Sequence, residues 1–331
     1  MQPKSQEIIP GVLCISLPVP FNVNPVNVYF FDGEIPTIID TGTRSSRTLE
    51  WLDAELRKAG ADISKIQQVI LTHGHVDHSG LAGKIQELSG ATILIHPAEL
   101  EELRMLLAPS EEDITHLHNS FKSWGLGVRE IAQFGDFRHA LSRLGVLPYQ
   151  GIRHLTEGEA IQAGDYTLNP IFCPGHSFGL VCYYLSAKKA LFCGDHVLEK
   201  ISPNPCVVVG SSGSAVSGLS WYLESLSKLL TLDIDICLAG HGSPITDLAQ
   251  RIREIQRDHE LRQERFVSYL AKLGPSNLKQ ICLQFLQDLE KHSPENLFLG
   301  MREAFGQVSL LENKGIVEKE LVQGIWIYSL T

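Results

Sequence analysis

A short stretch of the chain holds three histidines and one aspartate within six positions, a combination that can bind metal ions. His73, His75, Asp77 and His78 directly follow the apolar residues 69–71, whose pattern predicts a strand ending at the edge of a sheet. Imidazole is the commonest ligand for transition metals, and a carboxylate adds a harder oxygen donor. Two kinds of donor in one turn indicate two metal ions, with His73 and His75 facing one ion and Asp77 and His78 facing the other. Chance clustering of this kind is not expected with 13 histidines in 331 residues.

Three further potential ligands follow apolar runs elsewhere in the chain. They are His176, Asp195 and His241, and a glycine precedes each of them. Glycine lets the backbone turn sharply or approach closely, so we expect each ligand to be presented from the end of a strand.

In chain order these seven residues form the pattern HxHxDH followed by a distant His, an Asp and a final His. The sequence therefore resembles the metallo-β-lactamase superfamily, specifically its dinuclear hydrolases. The resemblance implies an αββα four-layer sandwich. It also implies that one ion is held by His73, His75 and His176, that the other is held by Asp77, His78 and His241, and that Asp195 bridges them.

Residues 39–42, Ile-Asp-Thr-Gly, resemble a turn that supports the metal ligands in the same superfamily. Asp40 ends a predicted strand there, and two compatible roles are open for it. It can cap the helix that follows near Arg47, or it can orient a ligand through a hydrogen bond. We favour the second role.

The periodicity of residues 1–247 is that of a catalytic domain built from strands and helices. Apolar runs at 12–17, 26–31 and 37–39 predict an antiparallel meander, and leucines at helical spacing over 49–59 predict a helix. A helix is also predicted over 80–88, and further strands are predicted at 91–96, 166–168, 171–173, 181–185, 190–193 and 234–238. We interpret His96 as structural, because it lies outside the ligand pattern.

Residues from about 99 to 150 interrupt this rhythm and predict a helical insertion. Ile114, Leu117, Phe121 and Trp124 fall on one helical face that ends at Gly125. Two interpretations are open: the aromatic residues fill a small core of their own, or they cap the metals and supply an apolar pocket for an acyl group.

Residues 248–331 have a different pattern of charged and apolar residues, which predicts a second, smaller domain. A long charged helix over 248–273 is followed by helices over 276–286 and 294–314, and then by β-runs at 316–320 and 326–330. This order resembles the winged helix at the C-terminus of lactamase-like proteins, which include a mitochondrial single-strand RNA endonuclease. The segment is not rich in basic residues, so a role in packing or in a homodimer is at least as well supported as nucleic-acid binding.

Charge and cysteine usage narrow the functional classes. Lys and Arg number 28 against 38 Asp and Glu, and the formal net charge of −10 opposes general binding of polyanions. The first residues lack the apolar core of a signal peptide, and no apolar run is long enough to span a bilayer, so a cytoplasmic protein is expected rather than an exported β-lactamase. Seven cysteines without a CxxC pair indicate reduced core residues.

The sequence thus predicts a dinuclear metal-dependent hydrolase in which a bridging hydroxide attacks a thioester, lactone or other small acyl substrate. Asp77 is the candidate catalytic residue, as the group that orients the hydroxide or takes its proton. Zinc is the expected metal, with iron or manganese as alternatives. A single-strand RNA endonuclease is the second hypothesis, and a mononuclear iron oxygenase or an inactive binding module the third. His196 is expected either to donate a hydrogen bond to a metal ligand or to line the pocket, and Lys200 and residues 201–205 are candidates for substrate contact.

Overall fold

A computed structural model describes residues 2–21, 23–145, 151–209, 215–288 and 293–331 of the chain. Residues 146–150, the end of the predicted insertion, lie outside this description. Among the described helices, none has the length and apolar character needed to cross a membrane.

Two mixed sheets form the centre of the molecule. The first sheet has seven strands that neighbour one another in sequence order: β1 Lys4–Ile9, β2 Val12–Leu17, β3 Val26–Phe31, β4 Thr37–Ile39, β5 Gln68–Ile70, β6 Thr92–Ile95 and β7 Ile152–His154. Strands β1 to β4 pair antiparallel, which confirms the predicted meander, and β4 to β7 pair parallel. The second sheet has the spatial order β14-β11-β10-β9-β8, with β8 Ile161–Ala163, β9 Tyr166–Phe172, β10 Val181–Leu185, β11 Ala190–Gly194 and β14 Ile236–Ala239. Strands β12 Val207–Val209 and β13 Ala215–Ser217 pair separately.

Helices cover the outer faces of both sheets and form most of the C-terminal region. Their bounds are α1 Ser46–Lys58, α2 Val76–Ser79, α3 Ala82–Ser89, α4 Pro97–Leu107, α5 Glu111–Ser123, α6 Val128–Ser142, α7 Leu219–Leu229, α8 Leu248–Leu273, α9 Leu278–Asp288 and α10 Pro294–Asn313. The remaining strands are β15 Ser276–Asn277, β16 Val317–Val322 and β17 Ile325–Leu330, in the spatial order β15-β17-β16.

The core has the layered arrangement that the sequence predicts. Between the two sheets, the Phe192 ring of β11 packs against Tyr29 and Phe31 of β3, with ring centroids 5.0 and 5.2 Å apart. On the outer face of the first sheet, leucines of α1 pack over the strands, and α7 and α8 cover the second sheet. The order helix, sheet, sheet, helix confirms the αββα fold.

The helical insertion does not have a separate core. Phe121 and Trp124 are buried in one cluster with residues of the C-terminal helices, and the Trp124 ring stacks on Phe305 of α10 with centroids 5.1 Å apart. The interpretation of a self-contained core is therefore wrong. The proposed apolar acyl pocket is also wrong for these aromatic side chains, because the C-terminal helices cover them. Ile114 was predicted to share one helical face with Phe121 and Trp124, but its side chain is exposed to solvent.

The C-terminal elements follow the predicted order of helices and a β-hairpin. The helix over residues 248–273 has the predicted bounds, because the Asp247 side chain caps its first turn and Gly274 leaves the helical conformation with a φ of +72°. The hairpin turns at Gln323 and Gly324, which both have positive φ. The domain boundary at residue 247 and the winged-helix comparison remain predictions.

Candidate metal centre

The first ligand cluster spans the change from a strand to a helix. After β5 the chain runs in an extended loop through His73, and His75 takes the position before α2. Asp77 and His78 then lie inside α2. The helix predicted over 80–88 corresponds to α3 Ala82–Ser89, whereas the short helix α2 that carries Asp77 and His78 was not predicted.

The three distant ligands come from the second sheet and arrive at the same place. His176 follows β9, Asp195 follows β11, and His241 follows β14. Strands β11 and β14 are parallel neighbours, so their carboxyl ends meet at one edge. Gly240, which precedes His241, lies so close to Asp195 and His78 that a Cβ atom there would collide with both side chains. This contact explains why a glycine is needed at that position.

The donors that were predicted for one ion lie within hydrogen-bond distance of each other. His75 Nδ1 is 3.0 Å from His73 Nε2 and 3.1 Å from His176 Nε2. These three nitrogens lie within 4.8 Å of one another, a spacing at which one ion can contact them all.

The donors that were predicted for the second ion form an adjoining group. Asp77, His78 and His241 place one ligand atom each within 4.8 Å of the others, and His241 Nε2 is 3.4 Å from Asp77 Oδ2. The carboxylate of Asp195 lies between the two groups, 3.5 Å from His78 Nε2, 3.6 Å from His241 Nε2 and 3.8 Å from His176 Nε2. This central position is the one predicted for the bridging residue.

The donor set fits metal ions on two observations. His78 Nε2 and Asp195 Oδ1 are buried and face each other at 3.5 Å, and among the described residues neither atom has another hydrogen-bond partner. Buried polar atoms without partners are costly in a folded protein unless something else satisfies them. The cluster also combines imidazole nitrogens with carboxylate oxygens, the donor types that zinc prefers.

Backbone and side-chain oxygens orient the histidines so that their other nitrogens face the cluster. His176 Nδ1 is 3.0 Å from the Asn204 carbonyl oxygen, and His241 Nδ1 is 2.8 Å from the Asn24 carbonyl oxygen. A carbonyl oxygen accepts, so each ring donates from Nδ1 and leaves Nε2 free for a metal. Asn204 belongs to the loop that the sequence named as a candidate for substrate contact, and its observed role is to hold a candidate ligand.

Asp40 orients His78. Its Oδ2 atom is 2.8 Å from His78 Nδ1 and accepts from the Thr72 hydroxyl, while Oδ1 accepts from the Thr72 backbone N–H. The residue has a φ of +60°, a backbone conformation that Asp tolerates better than most side chains. Ser45, not Asp40, caps α1. The capping interpretation of Asp40 is therefore wrong, and its contact with a ligand agrees with the favoured role.

Replacing Asp40 with asparagine is expected to lower zinc affinity about 10- to 100-fold, the range typical for partners of metal ligands. Asparagine also tolerates positive φ, so the loss should come from the weaker hydrogen bond to His78 and not from the backbone. Competition with a chromogenic chelator measures the affinity. Asp53→Asn is the control, because Asp53 forms an ion pair with exposed Arg57 on the surface of α1 and lies outside the ligand cluster. Equal affinities for wild type and Asp40→Asn would contradict this role.

The ionisation of the cluster reflects burial and the close packing of like and unlike charges. Burial, followed by the charge of His176, lowers the pKa of His75 to about 3. Burial alone would lower the pKa of His78, but the carboxylates of Asp195, Asp40 and Asp77 together raise it well above its ordinary value. Burial opposes ionisation of Asp195, and the charges of His241 and His78 outweigh it and lower its pKa. The region around Asp195 therefore favours positive charge beside the carboxylates, whether protons or metal ions supply it.

Glu99 is a residue of the site that the sequence analysis did not identify. It lies on α4 and is completely buried. Its Oε2 accepts from the Gly74 N–H at 2.6 Å, and its Oε1 accepts from the Gly179 N–H at 2.6 Å. One carboxylate thus joins the loop of His73 and His75 to the loop of His176.

Two other histidines take the non-ligand positions that the sequence predicted. His196 is fully buried, its ring packs edge-on against Tyr222, and it is in none of the candidate ligand groups found among the described residues. His96 accepts from the Ala98 N–H at the start of α4, which confirms its structural role. The cysteines are all unpaired, as predicted.

Comparison with known proteins identifies the class of the molecule as a metal-dependent hydrolase. Residues 21–241 match the metallo-beta-lactamase superfamily, and the chain belongs to that superfamily. It is 27% identical over 320 residues to a Bacillus subtilis protein named probable metallo-hydrolase YqjP, covering 91% of this chain and 92% of that protein. It is 24% identical over 230 residues to an Aspergillus fumigatus protein named atrochrysone carboxyl ACP thioesterase, covering 70% of this chain and 54% of that protein. A Burkholderia ambifaria beta-lactamase domain protein of known structure has the same fold, with a TM-score of 0.84, 24% identity and coverage of 99% and 94% of the two chains.

Proposed function

We propose that this protein is a thioester or ester hydrolase that works with two divalent metal ions, with zinc as the expected metal. The observation that carries the proposal is the arrangement of two three-residue donor groups on either side of Asp195. His73, His75 and His176 form one group, and the other is formed by Asp77, His78 and His241. Each group matches the open three-ligand sets that bind catalytic metals. Bound ions would lower the pKa of water to about 7 and polarise the substrate carbonyl.

The side chains of the site then have separate tasks in hydrolysis. A water oxygen bonds to the acyl carbon, the carbon–sulfur or carbon–oxygen bond breaks, and the leaving thiol or alcohol takes up a proton. Asp77 is the candidate to orient the water and accept its proton at Oδ2, the atom that lies 3.4 Å from His241 Nε2. Asp40 and Glu99 keep the ligand side chains in place.

An acyl substrate is favoured over nucleic acid by the charge of the chain and by its relatives. The formal net charge is −10, and strand β16 alternates acidic and basic residues rather than presenting a basic surface. One relative of this chain is named a thioesterase. RNA cleavage remains the second candidate because the C-terminal elements follow the order of a winged helix.

The test compares turnover of a medium-chain acyl thioester and a labelled unstructured RNA by the metal-loaded full chain. Thioester hydrolysis that disappears in His75→Ala, with RNA left intact, is expected. His118→Ala is the matched control, because His118 is an exposed histidine of α5 outside the cluster. RNA cleavage that is lost in His75→Ala and kept in His118→Ala would replace the proposed substrate class, and no turnover of either substrate would refute the hydrolase proposal.

A further inference from the structure

Helix α10 packs against the loop that holds His176, and it carries a cationic side chain on that face. The Asn204 side-chain amide donates to the Leu299 carbonyl of α10 at 3.1 Å, while the backbone oxygen of Asn204 holds His176. Two turns further along the same face of α10, a Cβ atom at Gly306 would lie 3.1 Å from the Pro205 side chain. Arg302 lies between these two contacts at helical spacing, so it is on the face that packs against the loop beside His176.

Arg302 lacks the partners that usually accompany a partly buried guanidinium. Among the described residues it donates no hydrogen bond and forms no ion pair, and its Nε atom is buried without a partner. The next residue, Glu303, does not serve it, because consecutive residues of a helix point to different faces, and Glu303 Oε1 accepts from Arg262 and Gln307 instead. A buried donor without an acceptor is costly, so the Arg302 guanidinium is open to an acceptor from outside the described chain.

Glu102 of α4 is the carboxylate whose charge acts on Arg302, and it lies beside the loop of His176. Its Oε1 accepts from the Phe178 N–H at 3.1 Å, two residues after His176. Burial and Glu99 raise the pKa of Glu102 to about 8, and Arg302 opposes that rise. Arg138 of α6 is a second nearby cation, and its Nη2 donates to the Met105 carbonyl at 2.9 Å. The two cations repel each other, and an anion bound at Arg302 would reduce that repulsion.

We propose that Arg302 binds an anionic oxygen group of the substrate beside the metal centre, so that the enzyme prefers acyl substrates that carry a carboxylate or a phosphate. This inference rests on the proposed function, since it names a substrate class for the same site. The guanidinium offers a planar set of donors that suits either oxyanion, while the metals are left to the acyl carbonyl.

Three thioesters separate the two sources of the anion. Pentanoyl-N-acetylcysteamine is neutral, glutaryl-N-acetylcysteamine adds a carboxylate at the end of an acyl chain of similar length, and pentanoyl-coenzyme A adds phosphates on the thiol side. For Arg302→Met, we expect kcat/KM to fall about 10- to 100-fold on an anionic substrate, mostly through KM, and to change less than about twofold on the neutral one. A selective loss with glutaryl identifies a carboxylate, and a selective loss with coenzyme A identifies a phosphate. Arg302→Lys should retain part of the preference.

Controls distinguish a binding role from a structural one. Arg265→Met removes an exposed cation of α8 and should change none of the three rates. Calorimetric binding of non-hydrolysable thioether analogues of the three substrates to the metal-free protein gives a readout that does not depend on turnover. An equal loss on all three substrates, or no loss on either anionic one, would overturn the role of Arg302. If wild type hydrolyses none of them, the proposed function fails, and weaker binding of an anionic analogue to Arg302→Met would still support the role of Arg302.

Discussion

Asp195→Asn is expected to lower kcat by roughly a thousandfold and to reduce the zinc bound per chain. The carboxylate lies within 3.5 to 3.8 Å of three histidine nitrogens that belong to both donor groups. An amide of the same shape keeps the packing but loses the negative charge and one strong donor oxygen. The stabilisation that metal ions give to a hydrolytic transition state is several kcal/mol, and each 1.36 kcal/mol is about tenfold in rate.

Two measurements check this result together. Metal content by mass spectrometry should fall in Asp195→Asn, and steady-state rates on the thioester should fall with it. Asp233→Asn is the control, because Asp233 is an exposed residue that pairs with Lys189 at 2.7 Å. Wild-type metal content combined with wild-type kcat in Asp195→Asn would show that this carboxylate does not bridge two ions.

Several elements could be predicted with correct bounds because their patterns depend on local sequence. Strands β2 and β3 consist of short runs of β-branched and aromatic residues, and α8 has both a capping aspartate and a terminating glycine. The edge strand β1 was not predicted, since its sequence KSQEII is mostly polar and exposed. Pairing with β2 forms this strand, and its own sequence does not indicate it.

The candidate ligands could be predicted because each carries a local signal, and the residues that support them carry none. Glu99, Glu101 and Glu102 look alike in the sequence of α4, yet only Glu99 meets two backbone N–H groups. Arg302 likewise resembles any other charged residue of a helix. Only the tertiary packing of α4 and α10 against the ligand loops distinguishes these residues, and no periodicity in one sequence contains that information.

The shared core of the insertion and the C-terminal helices links remote parts of the chain to the metal centre. Phe134 of α6 packs edge-on against Phe298 of α10 with centroids 5.2 Å apart, and α10 contacts the Asn204 loop three residues before Arg302. The position of Arg302 therefore depends on this packing. The same packing reaches the metal centre, because Asn204 contacts Leu299 of α10 and its backbone oxygen holds His176.

Glu99→Gln is expected to lower zinc affinity about 10- to 100-fold and to reduce the free energy of unfolding by about 1–3 kcal/mol. The carboxylate accepts from Gly74 and Gly179 with separate oxygens, both at 2.6 Å. An amide has only one oxygen, so its NH2 group must face one of these N–H donors, and that buried donor loses its acceptor. The two ligand loops would then no longer be held at one distance from each other.

The control for Glu99 lies two residues further along the same helix. Glu101→Gln removes an exposed carboxylate that pairs with Arg104, and it should change stability by less than about 1 kcal/mol. Chelator competition measures the zinc affinity, and chemical denaturation measures the free energy of unfolding. Rates at rising zinc concentration measure how much kcat recovers. Because Glu99 acts by positioning the ligands, excess zinc should restore most of the kcat of Glu99→Gln. A low kcat at saturating zinc would place Glu99 in the reaction itself, and unchanged zinc affinity would show that its two hydrogen bonds serve only the fold.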